Sequence, residues 1–322
     1  MKPKILLLLT FTQSIREQYL NGLQQKFPDL EINVVDHHSK VEPFINEANV
    51  LVTFGPMMSE NVLQKAQKLK WIQALGSGVD GITDRKSLDR SVLITNMYGI
   101  HGAPVSEAAL MSMFALARNL PWVIRNQLQT KWDRRIPPSI LEGKTVVIFG
   151  VGIISSALAP KCQALGMTVL GVSSTVRAIS GFDHIYPKDQ LVDAVQKADY
   201  FILLSPYSQD THHIINDHVL GHMKPSAFLI NLARGGVVDE AALIRCLEEH
   251  QIAGAALDVF QEEPLPPSHP FWGMENVLVT PHLGGFYDEY VHHALPIVIH
   301  NIHQFIENDY QAMKNVVRLP QQ

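Results

Sequence analysis

Short apolar runs alternate with helix-length amphipathic stretches along almost the whole chain, and this alternation leaves few folds open. Residues 4–10 form the first apolar run and residues 14–26 the first amphipathic stretch. Residues 32–35, 50–54, 71–75 and 92–95 read as further short strands. A second series starts at residues 145–149 and continues at 168–172, 200–204, 227–231, 254–257 and 277–280. Between strands lie helical patterns such as 104–119, opened by Pro104 and rich in Ala, Leu and Met, and 239–250. The chain closes with a helical stretch over 287–308. Strands joined by helices pair in parallel, so the pattern predicts an α/β protein with doubly wound parallel sheets. A single core usually stops growing at about 250–300 residues. At 322 residues the chain is therefore expected to form two domains.

Composition removes several classes of function. The formal net charge is −5 and no run of five or more basic residues occurs, which argues against a nucleic-acid or anionic-membrane partner. Cys162 and Cys246 are the only cysteines, with no CxxC pair and no zinc-finger spacing to a histidine. That excludes a disulfide or zinc framework and fits a reducing, cytoplasmic compartment. The apolar run at residues 5–9 is short and is followed by Thr10, Thr12, Gln13 and Ser14, with no small-residue cleavage pattern. It reads as a buried first strand rather than a secretion signal. No stretch reaches the ~18 apolar residues of a membrane helix. The histidine pairs His37-His38, His212-His213 and His292-His293, with His300 and His303, invite a metal site. Neighbouring helical residues point apart and no third ligand is evident, so no metal is expected.

The cofactor signal lies at Gly150-Val151-Gly152-Ile153-Ile154-Ser155, between an apolar strand and a helix. A first glycine permits the tight turn, and a second lets the backbone approach a pyrophosphate seated at the helix N-terminus, here Ile153 and Ile154. Ser155 keeps the third position small. The acid that normally holds the ribose hydroxyls after the second strand is missing. Ser173, Ser174, Thr175 and Arg177 stand there instead, and the first acid after Gly150 is Asp183. Hydroxyls and an arginine suit a 2′-phosphate, so NADP is favoured, with NAD as the alternative. Arg177 alone is equally what a solvated loop arginine looks like.

Three polar residues follow apolar strands in the second half. Arg234 lies in Asn231-Leu232-Ala233-Arg234-Gly235-Gly236, Glu263 in Gln261-Glu262-Glu263-Pro264, and His282 in Thr280-Pro281-His282. Ligands of parallel sheets bind beyond the carboxyl ends of the strands, so all three are placed to face one crevice. Their chemistry is complementary. Arginine grips a carboxylate and polarises the adjacent carbonyl, histidine moves a proton, and a carboxylate beside it orients the ring. Singly, each has a plainer explanation: a strand-end cap, a solvated glutamate, a structural donor. Jointly, beside a dinucleotide turn, they favour catalysis.

These segments make the family recognisable. The chain resembles the D-isomer-specific 2-hydroxyacid dehydrogenases, which include glyoxylate/hydroxypyruvate reductases, D-lactate dehydrogenases and phosphoglycerate dehydrogenases. The match is densest from residue 141 to 285: Leu141-Glu142-Gly143-Lys144, then Asn231 to Asp239, Leu257-Asp258-Val259-Phe260 and Thr280-Pro281-His282. The resemblance implies Arg234 as the substrate-binding arginine, His282 as general acid/base and Glu263 as its partner. Glu262 fits that role less well, because the family's glutamate directly precedes the proline. It also implies that Asp258 contacts the nicotinamide carboxamide and that Ser205, Pro206 and Thr211 line the adenosine side. Gly76, Ser77, Gly78 and Val79 would form a substrate loop whose backbone N–H groups hold a carboxylate.

The resemblance further implies a topology. A discontinuous substrate domain, residues 1–102 with 286–322, would carry an inserted dinucleotide-binding domain, residues 103–285, with the substrate in a closing cleft. Phe54, Tyr98, His101 and Phe286 are candidates for the specificity pocket. A homodimer joined around residues 104–132, including Trp122 and Trp132, is implied as well. The expected function is reduction of a small 2-keto acid, such as glyoxylate or hydroxypyruvate, to the D-2-hydroxy acid. The alternatives are a dehydrogenase of a bulkier 2-keto acid and a catalytically silent dinucleotide sensor.

Overall fold

The computed structural model describes residues 2–55 and 58–320. The chain divides into two compact units, Met1–Ile100 with Asp288–Gln322, and His101–Tyr287.

The first unit opens with β1 (Ile5–Leu8), β2 (Ile32–Val35), β3 (Val50–Thr53), β4 (Trp71–Ala74) and β5 (Leu93–Thr95). These strands pair in parallel, with β1 between β2 and β3. Every residue of β1, β3 and β4 is buried, as expected for strands covered on both faces. That is why β1 reads as an unbroken apolar run rather than an alternation. Leu6, Leu8, Leu51 and Ile72 belong to the core on one face.

The second unit holds seven parallel strands: β6 (Thr145–Phe149), β7 (Thr168–Ser173), β8 (His184–Pro187), β9 (Tyr200–Leu203), β10 (Phe228–Asn231), β11 (Gly254–Leu257) and β12 (Val277–Val279). Their order is β12-β11-β10-β9-β6-β7-β8. The chain winds outward from β6 to β8, then returns to the middle at β9 and winds the other way. The reversal between β6 and β9 opens a crevice at the carboxyl edge, the usual seat of a ligand in such sheets. The turns at Gly150, Ser205, Arg234, Asp258 and His282 follow β6, β9, β10, β11 and β12, so one edge collects them all. Cys162 and Cys246 are buried on this unit's helices, and burial pushes their thiols up to about 12 and about 11. Neither is a nucleophile near neutral pH.

Two departures from the sequence pattern have local causes. The helical stretch at 104–119 is Gly102–Ala117, and a second helix, Leu120–Leu128, starts after Asn119 turns the chain with φ +55°. The first unit is completed by the helix Tyr290–Glu307 and by β13 (Val316–Arg318). β13 runs antiparallel to β5 at the sheet edge, anchored by the Arg318 guanidinium, which donates to the carbonyls of Val92 and Asp89. The three residues of β13, Val316-Val317-Arg318, carry too little periodicity to announce such a strand. Among the described residues, no helix is long and apolar enough to cross a membrane.

Candidate active site

His282 and Glu263 form a direct pair, with Nδ1 and Oε2 2.7 Å apart. The other carboxylate oxygen of Glu263 accepts the Phe260 N–H at 3.0 Å, which fixes the carboxylate plane. Burial by itself pushes the Glu263 carboxyl up. The hydrogen bond and charge of His282, the Phe260 N–H and the Arg234 charge outweigh it and hold the carboxyl below its ordinary value. Both side chains keep some access to solvent, His282 at 38% and Glu263 at 25%, so a ligand can reach the ring.

His282 sits in the left-handed region, φ +54°. Such a backbone costs a non-glycine residue on the order of 1–3 kcal/mol and persists only where its surroundings enforce it. Here they do. The His282 N–H donates to the carbonyls of Asp258 and Thr280 at 2.8 and 3.0 Å. The buried Asp258 carboxylate then gathers the rest of the turn: it accepts the Thr280 hydroxyl at 2.5 Å, the Leu283 N–H at 2.9 Å and the Gly284 N–H at 2.8 Å.

Arg234 is positioned from β10. Asn231, buried at the strand end, donates from Nδ2 to the Arg234 carbonyl at 3.1 Å and accepts the Ala233 N–H at 3.1 Å. The guanidinium donates to the Ala233 carbonyl at 2.8 Å and its charge is felt by Glu263. Gly235 lets this turn lie directly on the chain after β11. A Cβ there would fall 1.9 Å from the Phe260 carbonyl carbon. That contact brings the Arg234 turn against the loop that carries Glu263.

The dinucleotide turn has the shape the chemistry needs. Gly150 has φ +103°, and a Cβ on it would meet the Ser205 backbone N at 2.5 Å. Gly152 meets nothing within 4 Å, so its missing side chain leaves open space before the helix Ile153–Ala164. Ser155 is fully buried, accepts the Gly152 N–H at 2.7 Å and donates back to its carbonyl at 2.9 Å. The serine at the third position therefore caps the helix. The first-turn N–H groups, at Ile153 and Ile154, have no intrahelical acceptors and suit a pyrophosphate. Beside Gly150, the Ser205 hydroxyl is buried with no hydrogen-bond partner among the described residues. Together these features fit a bound dinucleotide.

Residues 110–284 match the family model described as D-isomer specific 2-hydroxyacid dehydrogenase, NAD binding domain. The chain belongs to this family. Its members are NAD(P)-dependent oxidoreductases, and residues 110–284 are the NAD-binding domain of this one. A D-3-phosphoglycerate dehydrogenase from Methanocaldococcus jannaschii is 33% identical over 279 residues, 86% of this chain. The match spans only 53% of that longer relative. A glyoxylate reductase from Thermococcus onnurineus is 32% identical over 300 residues, covering 88% of this chain and 87% of the relative. An NADPH-dependent glyoxylate/hydroxypyruvate reductase from Sinorhizobium meliloti, solved with NADP and sulfate, is 26% identical with a TM-score of 0.83. The alignment covers 98% of both chains.

The remaining candidate positions of this dehydrogenase fall as follows. Ser173 ends β7, its hydroxyl accepting the Thr175 N–H at 3.2 Å, while Ser174, Thr175 and Arg177 are exposed on the loop beyond. The Thr211 hydroxyl donates to the Pro206 carbonyl at 2.9 Å and accepts the Ser208 N–H at 2.8 Å, folding the loop after Ser205. In the first unit, Gly76, Ser77, Gly78 and Val79 follow β4, and their backbone N–H groups donate to no acceptor among the described residues. The Phe54 ring lies over Gly76 and meets Phe11 edge-on at 5.1 Å. Tyr98 and Phe286 are exposed, and His101 is buried against Gly285. Sequence reasoning missed Thr280 and Asn231, whose signal is a polar residue at the carboxyl end of an apolar strand. The resemblance places Asp258 at the nicotinamide carboxamide; in the structure its carboxylate also holds the His282 turn.

Two outcomes are expected. Gly152→Ala places a methyl in open space, so stability should fall by no more than about 1 kcal/mol. Dinucleotide binding should weaken at least roughly tenfold, because the methyl would stand where the backbone meets the pyrophosphate. Calorimetric titration and urea unfolding of the same variant separate the two effects. Glu263 has a depressed folded value, so its stabilisation is complete above the unfolded value and is lost as pH falls through the folded one. The stability gap between wild type and Glu263→Gln should therefore be widest near neutral pH and close on acidification. A gap independent of pH would contradict the pairing.

Proposed function

We propose that this dehydrogenase reduces a small 2-keto acid, of the glyoxylate or hydroxypyruvate type, to the D-2-hydroxy acid, with NADP preferred and NAD as the alternative. The observation that carries the proposal is the His282–Glu263 pair at 2.7 Å, with the Arg234 charge acting on the same carboxylate. With Nδ1 engaged by Glu263, the Nε2 atom of His282 is left to deliver a proton to the carbonyl oxygen and to recover it in the reverse direction. Glu263 holds the ring in that orientation and balances the imidazolium charge. Arg234 offers a planar fork to the substrate carboxylate and polarises the adjacent carbonyl. In the first unit, the backbone N–H groups of Gly76, Ser77, Gly78 and Val79 would suit a substrate carboxylate. The nicotinamide, when bound, supplies the hydride.

Gly150, Gly152, Ile153 and Ile154 would hold the pyrophosphate. Ser173, Ser174, Thr175 and Arg177 would take the ribose end, with Ser205, Pro206, Thr211 and Asp258 along the rest. The absence of an acid after β7 supports NADP, since a carboxylate there would repel a 2′-phosphate. The glyoxylate reductase relatives support a small substrate. We assign residues 1–102 and 286–322 to substrate binding and residues 103–285 to the dinucleotide. We also infer a cytoplasmic homodimer. Buried, unpaired cysteines support the compartment. Met111, Phe114, Val123, Ile124, Leu128 and Trp132 expose apolar surface in the region implied for the dimer contact.

The test is the rate of NADPH and NADH oxidation by the purified chain with glyoxylate, hydroxypyruvate, pyruvate and a branched 2-keto acid. Turnover should be highest with NADPH and one of the first two. Preference for the branched acid would overturn the substrate proposal, and faster turnover with NADH would overturn the cofactor preference.

A further inference from the structure

We propose that Lys188 is the cation that meets the 2′-phosphate of NADPH, which makes it a specificity-determining residue of the dinucleotide site. The inference rests on the NADP preference proposed above and names the group that enforces it. In a doubly wound sheet, the residue at the end of the second strand faces the ribose 2′ position. Here that strand is β7, and Ser173 pairs in register with Pro187 of the edge strand β8. Lys188 is thus the first residue beyond β8, beside the place where the 2′ substituent arrives.

Ser174, Lys188 and Asp189 line one cavity of about 550 Å³, whose apolar wall includes Leu191, Ile214 and Val219. The Lys188 ammonium donates to the Asp210 backbone carbonyl at 2.7 Å. No carboxylate lies within ion-pair distance of it among the described residues. The neutral carbonyl uses one of three ammonium donors, so the charge is positioned without being neutralised. This contrasts with Lys224, which is paired with Asp199 at 3.0 Å. It also differs from Arg177, which is carried on an exposed loop, whereas Lys188 opens the short 3-10 turn directly after β8. Asp189, exposed at the rim, is the one carboxylate in the lining, and a neighbouring cation is what a phosphate would need there.

The experiment titrates the full chain and its Lys188→Ala and Lys188→Arg variants calorimetrically with 2′,5′-ADP and with 5′-AMP, which differ in the 2′-phosphate. Wild type should bind 2′,5′-ADP more tightly. Lys188→Ala should lose roughly tenfold toward 2′,5′-ADP, as expected for one charge-assisted hydrogen bond. Its affinity for 5′-AMP should be unchanged, which also shows an intact fold. Lys188→Arg should retain most of the discrimination. In turnover, Lys188→Ala should raise the KM for NADPH and leave kcat and the NADH kinetics alone. If wild type discriminates and Lys188→Ala discriminates equally, Lys188 has no such role and the loop at residues 173–177 carries the preference. If wild type does not favour the 2′-phosphate, the NADP preference itself fails and the assignment of Lys188 fails with it.

Discussion

A carboxylate taken out of water must have its oxygens filled, and Asp258 does so with the hydroxyl of Thr280 and the backbone N–H groups of Leu283 and Gly284. Those three donors come from the turn after β12, so a single anion at the end of β11 sets the path of the neighbouring strand's exit. The left-handed backbone of His282 sits inside that turn. Its strain is held by the Asp258 cluster rather than by anything at the imidazole itself. Leaving a buried acceptor without one of its donors commonly costs about 1–3 kcal/mol, comparable with the strain that the turn holds. The orientation of His282 toward Glu263 therefore depends on a residue that need not touch the substrate.

The same logic places the other groups. Asn231 closes the turn after β10 and presents Arg234, and Gly235 lets that turn rest on the Phe260 carbonyl. Phe260 in turn donates its N–H to Glu263. A chain of backbone contacts thus runs from β10 through β11 to β12 and brings an arginine, a carboxylate and an imidazole together at one edge of the sheet. Their charges then act on one another: Glu263 is kept ionised against its own burial because a histidine and an arginine stand beside it. The dinucleotide turn after β6 opens on this same edge, at the reversal of strand order.

Much of this was legible because it follows from periodicity and from residue chemistry. β6, β10, β11 and β12 are apolar runs bounded by glycine or polar residues, and Arg234, Glu263 and His282 stand out as complementary groups just past strands. β8 was not legible: its four residues begin with an exposed histidine and end in proline. β13 was not either, because its pairing with β5 joins residues far apart in the chain. The role of Thr280 required knowing that the ends of β11 and β12 are neighbours, whereas Asn231 acts within its own turn. Ser155 read as a substitution for glycine, whereas its hydroxyl caps the helix that the dinucleotide turn opens. Lys188 carried no signal at all, since only the register of β7 with β8 brings it beside Ser174.

The most direct test of the account is His282→Ala, with 2-keto acid turnover and dinucleotide affinity measured on the same preparation. Loss of a general acid should lower kcat by roughly 10²–10⁴-fold. NADPH affinity should stay near wild type, because the contacts proposed for the pyrophosphate and ribose lie elsewhere on the sheet edge. Turnover surviving unchanged would contradict the assignment of proton transfer to His282.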